Sequence, residues 1–285
     1  MRPLKFHPIL KQTLWGGERI IPYKELASGL SRVGESWELS GMPGSESVVA
    51  EGPWAGSTLS ELIGRFGAEL LGKANYARFG QEFPLLVKFI DAREDLSIQV
   101  HPDDELARKR HGKSGKCEMW YVLEAEPGAS LLTGFSRPIA PAEYERRVAD
   151  NTLTDVLNRQ AIASGDVFYL PAGRVHSIGK GSFIVEIQQS SDITYRIYDF
   201  DRRDAAGNSR ELHTELAREA IDFESSENSR ITYAPENNQE VRLVTTPYFT
   251  TSLYTLTART RCDWSATDSF VAIVLLQGSG SLTDN

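Results

Sequence analysis

Residues 165–176, which read GDVFYLPAGRVH, constrain the fold more than any other segment of the chain. Val167–Leu170 has the apolar and aromatic composition of a short β-strand. Pro171 and Gly173 follow it, and these residue types favour a tight turn in which the strand cannot continue. We therefore expect the chain to reverse there and to begin a new strand that carries His176 into the interior of a β-structure.

Two further segments place metal-binding side chains on or beside strands. Gln99 and His101 are two positions apart, so on a β-strand they project from the same face and can both bind a divalent ion. Glu105 lies in residues 103–110, which predict a short helix capped by an aspartate, and this helix would turn its carboxylate away. Glu118, at the start of the next predicted strand, is therefore the better carboxylate ligand.

Most of the remaining chain reads as short strands that are rich in β-branched and aromatic residues and bounded by glycine, proline, aspartate or serine. Their spacing indicates a mainly β fold, with a closed or double-sheet architecture of the jelly-roll kind and helices packed outside it. Strands are predicted over residues 85–90, 96–100, 118–123, 166–170, 183–188 and 194–198, and helices over residues 57–74, 141–158 and 211–223.

The chain is expected to divide into a main β-domain with helical insertions, residues 1–223, and a second, smaller jelly-roll β-domain, residues 241–285. The polar residues 224–240 contain a proline and predict a linker. The chain stops soon after its last predicted strand, so we expect the second domain to be incomplete. Its predicted strands cover residues 241–243, 248–256 and 270–276.

Composition narrows the classes of function. The chain has 31 Lys and Arg against 39 Asp and Glu, a net charge of -8, and no basic cluster long enough to follow a nucleic-acid backbone. The N-terminus lacks the apolar run of a signal peptide, and no apolar stretch reaches the ~18 residues of a membrane helix. Cys117 and Cys262 are too few for a disulfide framework and indicate a reducing compartment. A cytoplasmic protein without nucleic-acid or membrane partners is expected.

Several motifs together resemble one enzyme family. Residues 165–176 match in full the second metal-binding motif of the cupin superfamily, whereas the first motif departs from the usual His-x-His and has Gln99-x-His101. Over roughly residues 5–220 the chain resembles the type I mannose-6-phosphate isomerases in their short bacterial form. The remaining motifs are WGG at 15–17, GESWE at 34–38, PLLVK at 84–88, QVHP at 99–102, KCEMWY at 116–121 and EIQQSSDITYR at 186–196.

The resemblance implies a cupin barrel and a zinc enzyme that interconverts mannose 6-phosphate and fructose 6-phosphate. Such an isomerase moves a proton between C1 and C2 of the sugar phosphate through an enediolate. The resemblance also implies one zinc ion per chain with ligands at Gln99, His101, Glu118 and His176, an active-site lysine at Lys116, an active-site arginine at Arg196, and pocket-lining residues at Lys88 and Ser97.

The chemistry of the side chains limits the roles of the charged residues. Arg196 keeps its proton at physiological pH, so we expect it to stabilise an oxyanion or anchor the phosphate. Lys116 is expected to bind phosphate or to lower the barrier electrostatically. Glu186 and Asp192 are expected to contact the substrate. The general base stays open among Glu186, Asp192, Lys116 and a water on the metal.

Two alternative functions remain open at this point. Iron-dependent cupin dioxygenases usually bind their metal through three histidines or through two histidines and a carboxylate, and Gln99 counts against that class. A non-catalytic cupin that binds sugar phosphates would keep the fold without the activity. Lys116, Glu118, His176 and Arg196 together favour a working enzyme. Monomer and homodimer are both compatible with the sequence.

Overall fold

The structure of the chain, a computed structural model, describes residues 3–204, 206–224 and 228–283. The predicted mainly β architecture is confirmed. The strands in the described residues are β1 (Ile9–Gly17), β2 (Val33–Met42), β3 (Ser45–Glu46), β4 (Leu85–Ala92), β5 (Ile98–Val100), β6 (Glu118–Ala125), β7 (Ser130–Phe135), β8 (Leu157–Ala161), β9 (Val167–Leu170), β10 (His176–Ile178), β11 (Ser182–Gln189), β12 (Tyr195–Tyr198), β13 (Arg230–Ile231), β14 (Val241–Thr245) and β15 (Thr250–Leu253).

The helices are short and connect the strands. The predicted helix over residues 57–74 begins as expected, because the Thr58 hydroxyl caps the backbone N–H of Glu61. It then breaks into three pieces at Gly67 and Gly72, whose φ angles of 51° and 87° do not continue a helix. The helices are α1 (Ile20–Tyr23), α2 (Leu59–Phe66), α3 (Ala68–Leu71), α4 (Lys73–Phe79), α5 (Asp104–His111), α6 (Pro141–Ala149) and α7 (Thr214–Ala220), with a 3-10 turn at Leu153–Val156.

Two sheets pack face to face and are not closed into one another by hydrogen bonds in the described residues. The larger sheet has eight strands in the order β13-β9-β6-β11-β4-β1-β2-β3, with β2 also paired to β4. The smaller sheet has five strands in the order β12-β5-β10-β7-β8. An apolar cluster between them joins Trp120 and Ile184 of the larger sheet to Leu131 and Ile178 of the smaller one. The space for a site lies between these inner faces.

Alternation along the strands separates the inner face from the outer face of the larger sheet. On β6, Met119 packs into an outer apolar cluster with Leu59 of α2 and Leu71 of α3, whereas its neighbours Glu118 and Trp120 point inwards. The outer face of the smaller sheet is covered in the same way by helices α5, α6 and α7. Both outer faces are therefore shielded by apolar packing, and polar residues gather on the inner faces.

The C-terminal segment packs on the outer face of the larger sheet. Leu243, Val244 and Phe249 join the same outer cluster as Leu59 and Met119. The strand predicted over residues 270–276 is not formed, because no neighbouring strand pairs with this segment in the described residues. Phe270 instead contacts Phe83, with ring centroids 4.8 Å apart. The division into two domains with a linker stays a prediction, and residues 225–227 of that linker lie outside the described residues.

The sequence did not predict β1, β2, β3, β7, β8 or β13. Strand β2 shows one reason, since Glu35 stands where the alternation set by Trp37 and Leu39 would place an apolar residue. The Glu35 carboxylate lies 3.7 Å from the ammonium of Lys88 on the inner face, which accounts for a polar residue there. No helix in the described residues has the length and apolarity needed to cross a membrane.

Candidate metal centre

One row of side chains crosses the inner face of the smaller sheet. His176 on β10 pairs with Gln99 on β5, which pairs in turn with Arg196 on β12. Residues directly opposite each other on adjacent strands project from the same face. His101 and Ser97 lie two residues on either side of Gln99 and extend the row along the chain. The fold thus brings five predicted site residues to one inner face.

Glu118 approaches this row from the larger sheet, where it is the first residue of β6. Its Oε1 lies 3.2 Å from Nε2 of His176, and its Oε2 lies 3.5 Å from Nε2 of His101. One ligand atom from each of these three residues lies within 4.8 Å of the others, and all three residues are buried. Residues separated widely in sequence therefore converge closely enough for one ion to contact them all.

The two imidazoles present unprotonated nitrogens to the carboxylate. Nδ1 of His101 lies 2.8 Å from the carbonyl oxygen of Ile193. Nδ1 of His176 lies 2.8 Å from the carbonyl oxygen of Arg174. Because a carbonyl oxygen only accepts hydrogen bonds, each Nδ1 carries the proton and each Nε2 holds a lone pair. Burial lowers the pKa of His101 to about 3 and also lowers the pKa of His176, so both rings are neutral near neutral pH.

The charges and orphaned atoms of the cluster fit a divalent cation. Burial alone would raise the pKa of Glu118, but the Lys116 ammonium, 2.9 Å away, holds that pKa well below its usual range. Nε2 of His101 and Oε1 of Glu118 are buried and have no hydrogen-bond partner among the described residues. Buried acceptors without a partner are costly, and a cation between them removes that cost. Imidazole nitrogens and a carboxylate are a common ligand set for divalent transition metals.

The side-chain amide of Gln99, the fourth predicted ligand, lies next to His176. Its side-chain Nε2 lies 3.3 Å from Nε2 of His176, and its Oε1 lies 3.3 Å from the Ser97 hydroxyl. Rotation of the amide by half a turn exchanges its oxygen and nitrogen and directs the oxygen towards the histidine. The serine hydroxyl can donate or accept, so it satisfies either orientation. Gln99 therefore lies beside the cluster of His101, Glu118 and His176, with its amide next to His176.

A line of alternating charges leads away from Glu118 along the inner face of the larger sheet. Lys116 lies 2.9 Å from Glu118 and 3.9 Å from Glu186. Lys88 lies 2.8 Å from the same oxygen of Glu186 and 3.7 Å from Glu35. The three carboxylates outnumber the two ammonium groups, so a divalent cation at the Glu118 end offsets the excess negative charge.

Glu186 and Glu35 are each fixed by an indole as well as by Lys88. Trp120 donates to Oε2 of Glu186 at 2.9 Å, and Trp37 donates to Oε2 of Glu35 at 2.7 Å. Burial acts to raise the pKa of Glu35, but the Lys88 ammonium and the indole lower it. The two carboxylates in turn raise the pKa of Lys88 against the effect of burial. Sequence reasoning did not assign Glu35 to the site, although it lies in the GESWE motif.

No carboxylate of the described residues lies within ion-pair distance of the Arg196 guanidinium. Its Nη1 donates to the carbonyl oxygen of Glu211 at 3.0 Å, and its buried Nε has no hydrogen-bond partner in the described part of the chain. The nearby Asp199 is paired instead with Arg202 and Arg210. Burial, reinforced by Arg210, lowers the pKa of Arg196. The guanidinium is therefore available to a bound anion.

Asp192 lies apart from the cluster. It is exposed, and its Oδ1 lies 2.9 Å from Nζ of Lys113, which is exposed as well. Its neighbour Ile193 contributes through the backbone, because the carbonyl of that residue orients His101. The predicted site residues that line the two inner faces are Lys88, Ser97, Gln99, His101, Lys116, Glu118, His176, Glu186 and Arg196.

Gln188, which sequence reasoning did not single out, holds the loop that follows β11. Its Nε2 donates to the carbonyl oxygens of Gln189 and Ser191, both at 2.8 Å. The Ser191 hydroxyl then donates to the carbonyl oxygen of Ser114 at 2.9 Å. These bonds fix the loop from which the Ile193 carbonyl reaches His101. The only sequence signal was the EIQQSSD portion of the last motif.

The sequence is similar to those of known proteins. Residues 4–133 match the model of the family described as phosphomannose isomerase type I, catalytic domain. A probable mannose-6-phosphate isomerase of Bacillus subtilis, GmuF, is 35% identical, with 99% of this chain and 88% of the relative covered. A mannose-6-phosphate isomerase of Streptococcus mutans is 34% identical, with 99% and 87% covered.

The fold agrees with a solved structure. The crystal structure of a mannose 6-phosphate isomerase from Bacillus subtilis superposes with a TM-score of 0.79 at 32% sequence identity. The alignment covers 88% of this chain and 79% of that structure. The likeness therefore extends over most of the chain.

Proposed function

The chain belongs to the family of type I phosphomannose isomerases, and on that premise we propose that it interconverts mannose 6-phosphate and fructose 6-phosphate. The reaction moves a proton between C1 and C2 of the sugar through an enediolate. The substrate is a small sugar phosphate, and its phosphate needs a cationic partner in the site. The cytoplasmic location and the monomeric or homodimeric state stay predictions.

The observation that carries the proposal is the buried convergence of His101, Glu118 and His176. With Gln99, these residues would hold one zinc ion. A divalent ion bound there would stabilise the negative charge that develops on the sugar oxygens. The neutral tautomers fixed by the Ile193 and Arg174 carbonyls leave both Nε2 lone pairs ready for binding.

In this proposal the cationic residues Lys116 and Arg196 have separate roles. Lys116, next to Glu118, stabilises the developing oxyanion electrostatically. Arg196 keeps its charge and has no carboxylate partner at ion-pair distance in the described residues, so it is suited to an oxyanion or to the phosphate. The charge of Lys88 is already compensated by Glu186 and Glu35, so Lys88 is less suited to bind an anion.

Glu186 and Ser97 complete the proposed substrate contacts. Glu186 lies between Lys88 and Lys116, where its carboxylate can accept from a sugar hydroxyl or exchange a proton. Ser97 lies beside Gln99 at the edge of the ligand set. Asp192 is exposed and paired with Lys113, so the proposal assigns it no contact with the reacting carbons.

A coupled assay with mannose 6-phosphate tests the proposal. Wild-type protein should turn over the substrate, lose this activity on chelation and regain it with zinc. His176→Ala should be inactive with zinc added, because one of the two imidazole ligands is lost. Turnover that is indifferent to the chelator would contradict the metal-assisted mechanism. Binding of the substrate without conversion would favour a non-catalytic protein, and bound iron with oxygen consumption would favour a dioxygenase.

A further inference from the structure

The backbone that carries Lys116 and Glu118 is held by a side chain from the neighbouring strand. At the end of the β6–β11 ladder, the backbone N–H of Gln189 donates to the carbonyl oxygen of Cys117 at 3.2 Å. In return, the N–H of Cys117 donates to the side-chain Oε1 of Gln189 at 2.8 Å. Both residues are buried. A side-chain amide thus completes the hydrogen bonding of the strand where the regular pairing ends.

The orientation of the Gln189 amide is fixed by the groups on its two sides. Its Nε2 donates to Oδ1 of Asp104 at 3.0 Å. A carboxylate accepts only, and the N–H of Cys117 donates only, so exchange of oxygen and nitrogen would break both bonds. Asp104 is held in turn, because its Oδ1 also accepts from the N–H of Gly115 at 2.8 Å. The amide therefore ties the segment before β6 to the first turn of α5.

We propose that Gln189 is a positioning residue for the metal centre. Cys117 lies between Lys116 and Glu118, so a shift of its backbone displaces the ammonium and the carboxylate together. Groups that orient metal ligands through hydrogen bonds usually change metal affinity by about 10–100-fold when they are removed. This inference rests on the proposed function for its metal, and it adds a residue that has no contact with metal or substrate.

The same network reaches the C-terminal hairpin. The hydroxyl of Tyr248, in the turn between β14 and β15, donates to Oδ2 of Asp104 at 3.0 Å. A chain of three hydrogen bonds therefore joins Tyr248 to the Cys117 backbone through Asp104 and Gln189. We expect the hairpin to influence the affinity of the centre for its metal, although none of its residues lies in the centre.

Competition with a chelator for zinc, measured on the metal-stripped full chain, tests the positioning role. Gln189→Met keeps the size of the side chain and removes both of its hydrogen bonds. We expect its zinc affinity to fall by about 10-fold or more. A zinc affinity within twofold of the wild type would overturn the proposal.

Tyr248→Phe gives a second, milder variant in case Gln189→Met fails to fold. Tyr233→Phe is its matched control, because Tyr233 also lies in the outer cluster and donates one hydrogen bond, to the Gly165 carbonyl at 2.7 Å, away from this network. We expect Tyr248→Phe to bind zinc about threefold more weakly or worse, and Tyr233→Phe to match the wild type. If Gln189→Met does not fold, equal zinc affinity in Tyr248→Phe and Tyr233→Phe would overturn the proposal, even if both lose thermal stability.

The outcomes separate this inference from the proposed function. A wild-type protein that lacks isomerase activity but binds zinc, with lower affinity in Gln189→Met, would contradict the activity and support the positioning role. An active wild-type enzyme whose zinc affinity is unchanged by Gln189→Met would support the activity and overturn the positioning role.

Discussion

The ammonium nitrogen of Lys88 lies 2.8 Å from Oε1 of Glu186, and both side chains are buried between the two sheets. A second carboxylate, Glu35, lies 3.7 Å from the same nitrogen. Such a pair matters for the stability of the fold because removal of one member leaves the other as a buried charge without a partner.

Lys88→Met should destabilise the fold by about 3–5 kcal/mol, since Glu186 and Glu35 would lose the ammonium between them. Urea unfolding monitored by fluorescence measures this change. Lys113→Met is the control, because the pair of Lys113 with Asp192 is exposed and worth about 0–1 kcal/mol. Equal stabilities of the two variants would show that the buried line of charges contributes nothing.

Glu118→Gln should lose zinc affinity by about 10-fold or more, because it replaces the one anionic ligand with a neutral amide. Equilibrium dialysis against a zinc buffer measures the loss. Glu105→Gln is the matched control, since Glu105 is exposed on α5 and takes no part in the cluster of His101, Glu118 and His176. Metal binding that depends on residue 105 rather than on residue 118 would refute the ligand assignment.

The metal-stripped protein should lose stability on mild acidification. His101 has a pKa of about 3 in the fold and about 6.5 in the unfolded chain, so the unfolded state binds the proton first as the pH falls. Lowering the pH from about 7.5 to about 5 therefore reduces the free energy of unfolding by on the order of 2 kcal/mol. Urea titrations at both pH values should show a smaller change in His101→Gln than in the wild type. A stability of the stripped protein that does not vary over this range would contradict the prediction.

The two thiols should differ in reactivity. Burial raises the pKa of Cys117 to about 12, so at pH 8 only a fraction on the order of 10⁻⁴ is thiolate. Titration of the native protein with a disulfide reagent should therefore modify Cys262 alone, and the second thiol should react after denaturation. Cys262→Ser should abolish the native reaction. Rapid modification of two thiols in the folded protein would show that the Cys117 strand opens readily.

Short-range patterns in the sequence predicted much of the fold and indicated the candidate ligand residues. The Pro171–Gly173 turn could be predicted from its residue types, and in the structure the strand that follows it begins at His176. The helix at residues 104–111, with Asp103 as its cap, was equally local and removed Glu105 from consideration. These features depend on neighbours in the chain, which is the information that a single sequence holds.

The parts that were not predicted depend on contacts between distant strands. Glu35 belongs to the site only because β2 pairs with β4 and places it beside Lys88. Gln189 gains its role only because β11 and β6 end at the same level. Asp192 illustrates the opposite case, since it lies in a site motif but faces solvent. No periodicity within one segment encodes these pairings.

The predicted ligands of the centre lie far apart in the sequence, since His176 follows Gln99 by 77 positions. The cluster of His101, Glu118 and His176 forms only when the two sheets pack together, because Glu118 lies on the larger sheet and His176 on the smaller one. A metal ion that needs all three side chains would therefore bind only after the two sheets have packed together.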